Sequence, residues 1–61
     1  MPQYRLFLVD KQNHIVAATE RECAEGDIRV VARNVLQSES GSIDGVEIWH
    51  GSRRLDHVRR S

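Results

Sequence analysis

One cysteine in 61 residues cannot form an internal disulfide. Cys23, His14, His50 and His57 show neither CxxC nor HxxxH spacing, so a metal site would need ligands gathered from distant segments. The chain thus lacks both common staples of very small domains. At this length folding buries only about 60% of the unfolded surface, which leaves a lone core marginal. Oligomerisation or very regular packing is what remains to stabilise it.

Long apolar runs are missing too. None approaches the ~18 residues of a membrane span, and no basic region leads into an apolar stretch as in a secretory signal. With one free cysteine, this predicts a cytoplasmic chain with no membrane partner. Nor is there an excess of either charge, since nine Lys+Arg balance nine Asp+Glu. That balance argues against nucleic acid or an anionic membrane as the main partner. A Gly-rich phosphate loop, a nucleophile elbow and a paired-carboxylate motif are all absent, so neither catalysis nor a cofactor is expected.

What is present has clear periodicity. Residues 4–9 and 14–19 are two β-biased runs joined by Asp10-Lys11-Gln12-Asn13, which predicts a hairpin. Ile28, Val31, Ala32, Val35 and Leu36 recur at helical spacing, which predicts an amphipathic helix over 28–37 with Asp27 as N-cap. Thr19 and Glu22 also fit a capping box. That longer helix would enclose Gly26 at a cost of about 1 kcal/mol, so residues 20–26 are expected as loop. Residues 38–42 form a small polar connector. A second hairpin follows, with Val46-Glu47-Ile48-Trp49 returning through Gly51 as residues 53–58. The expected fold is a single α+β domain over residues 1–61: a four-stranded antiparallel sheet in β-β-α-β-β order, with the helix on one face.

Strand alternation assigns Leu6, Leu8, Ile15, Ala17, Val46, Ile48 and Leu55 to the covered face. Arg5, Phe7, Val9, His14, Val16, Ala18, Glu47, Trp49, Arg54 and Asp56 fall on the other. Leu55 and Val58 have opposite parity, so one points outward or a bulge intervenes. The second face mixes aromatic, aliphatic and charged residues, the composition of an interface. A homodimer is the favoured reading, with Phe7, Val16 and Trp49 buried, Arg54 and Glu47 fixing orientation, and an edge strand as the other route. Trp49 is its expected anchor.

The alternative is nucleic-acid binding by the terminal hairpin, in which Arg53, Arg54, Arg59 and Arg60 would meet phosphates. The same arginines could instead dock an acidic protein, or stand as a solvated strand edge. His50 and His57 lie on opposite arms of that hairpin and are expected to approach each other. Cys23 sits in an acidic stretch, a poor setting for a reactive thiol.

The opening Met1-Pro2-Gln3-Tyr4-Arg5-Leu6, the Asp10 to Ile15 turn and Val46-Glu47-Ile48-Trp49-His50-Gly51-Ser52-Arg53-Arg54 carry a resemblance over nearly the whole chain. They resemble short, largely uncharacterised bacterial proteins that open MPxYxLxxxD and close with a VExWxGxRR hairpin. The resemblance implies the same element order and a cytosolic bacterial setting, and it transfers no functional residue. His50 stands before the glycine, where a different polar residue is expected.

Overall fold

The structure is a computed structural model that describes residues 2–39 and 43–60. Ser40, Gly41 and Ser42 of the expected connector lie outside the described residues. Four strands, β1 (Gln3–Val9), β2 (Ile15–Glu22), β3 (Gly45–His50) and β4 (Arg53–Arg59), form one antiparallel sheet in the order β2-β1-β3-β4. A 3₁₀ turn over Glu25–Asp27 leads into the α-helix α1 (Ile28–Ser38).

The first hairpin closes on Asp10. Its carboxylate accepts the N–H groups of Gln12 and His14, each at 2.9 Å, while Asn13 takes a positive φ of 65°. Asparagine tolerates that left-handed conformation better than most residues. Gly51 takes φ 64° at the tip of the second hairpin, the conformation for which glycine suits a tight turn. Asp27 does not cap the helix with its side chain, because the 3₁₀ turn already places its backbone in the helical region. Thr19 and Glu22, the alternative capping pair, both lie in β2, which runs three residues further than the β bias indicated.

The core is a layer between α1 and the sheet. Tyr4, Leu6 and Leu8 of β1 and Val46 and Ile48 of β3 meet Ile28, Ala32 and Leu36 of the helix, and Ile43 closes one end. Paired residues share a face of the sheet, so Tyr4, Leu6 and Leu8 mark the helix side and Arg5, Phe7 and Val9 the open side. The helix packs over β1, β3 and β4 and meets β2 at Arg21, which lines a shallow recess with Val31, Asn34, Val35 and Ser38. Ala17 pairs with Leu8 on the helix side and is still exposed.

Two bulges revise the expected faces. In β2 the register passes from Leu8↔Ala17 to Val9↔Ile15, so Val16 is the extra residue and Ile15 lies opposite Val9 rather than on the covered face. In β4 it passes from Ile48↔Asp56 to Trp49↔Arg54, which makes Leu55 the extra residue. Asp56 thus moves to the helix side, where its carboxylate pairs with Arg29 of α1. The same bulge resolves the parity conflict in β4. Val58 packs against the core, and Leu55 lines a shallow recess with Ile28 and Ile48 while staying 40% exposed.

Candidate interaction surface

On the open face the register brings four of the five expected interface residues together. Phe7 pairs with Glu47 across β1 and β3, and Trp49 pairs with Arg54 across β3 and β4. The Phe7 and Trp49 rings meet edge to face at 6.0 Å and 85°, a favourable arrangement of their quadrupoles. The Trp49 indole N–H donates to Glu47 Oε1 at 3.1 Å, and an Arg54 guanidinium nitrogen lies 3.9 Å from Glu47 Oε2. Arg5 and Glu20 form a further pair at 3.1 Å, both well exposed and so of little energetic weight. These side chains largely satisfy one another, and Phe7, Glu47 and Trp49 are each half-buried without any partner molecule.

Val16, the fifth residue, stands apart on β2 and is 51% exposed. Its neighbour Ile15 is 57% exposed, and Ala17 and Ala18 are exposed as well. The exposed apolar surface therefore gathers along the β2 edge rather than at Trp49. Alternation alone did not reveal this, because the bulge at Val16 turns Ile15 to the open face and the helix's reach leaves Ala17 uncovered.

Backbone directions along β2 follow from the loop bonds. Asp10 N–H donates to His14 O at 3.1 Å, and Cys23 N–H donates to Pro2 O at 3.3 Å, so even-numbered positions along β1 address β2. Asp44 N–H donates to Val9 O at 2.8 Å, so odd-numbered positions address β3. Ala17, Thr19 and Arg21, the partners of Leu8, Leu6 and Tyr4, therefore turn their N–H and C=O inward. Ala18, Glu20 and Glu22 turn theirs to the free edge.

The terminal arginines do not form one patch. Arg53 and Arg54 begin β4, while Arg59 ends it, five residues or about 17 Å of strand beyond Arg54. Arg54 is engaged with Glu47. Arg60 donates from Nε to Ile43 O at 3.2 Å and from Nη2 to Leu36 O and Glu39 O at 2.8 and 3.0 Å. It clamps the end of α1.

The histidines separate as well. The His50 ring meets Tyr4 on the helix side with ring centres 5.3 Å apart and planes tilted by 48°, whereas His57 faces Glu47 on the open side. Among the described residues no three His, Cys, Asp or Glu side chains are placed to hold a metal ion. No helix among them is long and apolar enough to cross a membrane. Comparison with protein-family models, curated proteins and solved structures gives no match.

Proposed function

We propose that the chain is a small non-enzymatic interaction module that self-associates by pairing β2 with β2 of a second copy. The carrying observation is the state of that edge. It is eight residues long, exposed on both faces and apolar over its first half, and the backbone groups of Ala18, Glu20 and Glu22 point outward. Natural edges of that length are normally blocked by proline, lysine, a bulge or a covering element, and beyond the bulge at Val16 the apolar half of β2 carries neither proline nor lysine. The opposite edge, β4, is guarded by Arg53, Arg54, Asp56 and Arg59.

A two-fold axis at Thr19 gives the best register. It sets Thr19 against its own mate and Ala18 against the second copy's Glu20, so the two Ala18–Glu20 pairs can exchange four backbone hydrogen bonds. An axis at Glu20 would oppose two carboxylates, and an axis at Ala18 would draw on the irregular backbone at the Val16 bulge. The product is an eight-stranded antiparallel sheet.

Sedimentation velocity at micromolar concentration should report a dimer. Ala18→Pro removes only an outward N–H, so it should give a folded monomer, while Thr19→Pro removes an inward one and should loosen β2 from β1. On a Cys23→Ser background, Thr19→Cys should cross-link across the axis under mild oxidation and Glu20→Cys should not. A wild-type protein that stays monomeric at hundreds of micromolar would sink the reading. A dimer that ignores Ala18→Pro would move the interface elsewhere.

A further inference from the structure

The second half of α1 and the end of β4 bound an open groove of about 510 Å³, lined by Arg33, Leu36, Gln37, Arg59 and Arg60. Among the described residues no carboxylate lines it. Among the described residues Arg33 and Arg59 have no acidic partner within ion-pair distance. Arg60 has its guanidinium plane set by three main-chain carbonyls, and Nη1 takes no part in those bonds. Glu39 and Asp44 meet Arg60 only through main-chain oxygens. The end of a helix is ordinarily unfavourable for an anion, since its free carbonyls carry partial negative charge. Here Arg60 occupies one of those carbonyls, Leu36 O, and its guanidinium charge sits at the helix end and offsets that objection.

We infer that this groove binds the phosphate group of a small phosphorylated molecule. Its volume lies within the about 300–1,000 Å³ typical of small-ligand sites. Guanidinium groups bind phosphate oxygens through paired, charge-assisted hydrogen bonds. Arg60 supplies a fixed donor, Arg33 and Arg59 close from the two sides, and the Gln37 amide adds a neutral donor. Arg33 reads in the sequence as a solvated helix residue. Its place here depends on the helix crossing β4, which brings it beside Arg59. The groove is on the β4 side, across the sheet from β2, so the binding is independent of self-association.

The test is an amide-shift titration of the ¹⁵N-labelled full chain with inorganic phosphate and then pyrophosphate, with chloride holding ionic strength constant. Saturable shifts centred on Arg33, Gln37 and Arg59 are expected. Arg33→Gln and Arg59→Gln should each weaken binding at least about tenfold. Arg54→Gln, at the far end of β4, should leave it unchanged. These variants sit at exposed positions, and circular dichroism checks their fold. Shifts reproduced by chloride alone, or unaffected by Arg33→Gln and Arg59→Gln, overturn the assignment. A third arm uses a single-stranded oligonucleotide. If it binds tighter than pyrophosphate and needs Arg53 and Arg54 as much as Arg33, the surface reads nucleic acid and the small-ligand site is wrong.

Discussion

Gly45 and His57 illustrate how one missing side chain sets the chemistry of its neighbour. A Cβ added at Gly45 would stand 2.8 Å from His57 Nε2 and 3.0 Å from the carbonyl oxygen of Val58. The imidazole occupies the space left by the glycine, and its Nε2 is sealed there without a hydrogen-bond partner. Gly45→Ala should cost about 1–3 kcal/mol by overpacking, read as a lower urea midpoint. His57→Ala in the same chain should restore part of that loss, because the Val58 carbonyl contact persists. Tyr4 gives a second prediction at this scale. Burial, reinforced by the Glu25 carboxylate and Cys23, holds its phenol above the ordinary tyrosine pKa. The folded state thus favours the protonated phenol. Its contribution is intact below about pH 10, where the unfolded chain begins to ionise, and is lost as pH rises through the higher folded value. Tyr4→Phe should flatten that alkaline loss in urea midpoints measured between pH 8 and pH 11.

Elements join through contacts that span long stretches of sequence. The Arg60 clamp ties the residue after β4 to the end of α1 and to Ile43. Arg60→Ala should cost about 1–3 kcal/mol and fray the last helical turn, visible as faster amide exchange there with the rest of the sheet unchanged. The elements themselves were legible in the sequence: both hairpins, the helix over 28–37 and the antiparallel sheet follow from alternation, helical spacing and turn residues. Faces were legible only where the register is regular. Ile15 was misassigned because Val16 bulges without a sign in the sequence, and Asp56 because Leu55 bulges, one of the two options that the parity of Leu55 and Val58 left open. The interface residues Phe7, Glu47, Trp49 and Arg54 were readable as neighbours, since two-residue periodicity fixes them on one face. Their mutual satisfaction was not readable, and the exposure of Ala17 on the helix side depends on how far the helix reaches. The four arginines looked like one cluster in sequence and belong to three settings in space.

At the scale of the whole molecule, nine buried hydrophobic side chains among the described residues make up the core between helix and sheet, a small number that leaves stability near the lower limit for a folded domain. The proposed β2 pairing would add the backbone bonds that the edge lacks. Thermal midpoints should then rise with protein concentration, and those of Ala18→Pro should not, by scanning calorimetry over a hundredfold dilution series. The helix's uneven reach has a kinetic consequence. β2 hydrogen-bonds to β1 alone, and its exposed first half, Ile15 to Ala18, has little of the helical cover that β1 and β3 share, so that half should open while the three-stranded remainder stays intact. The inward amide of Ala17 reports that opening. On the proposed pairing, the strand that is loosest in a solitary copy would act as a latch, fastened by a second one.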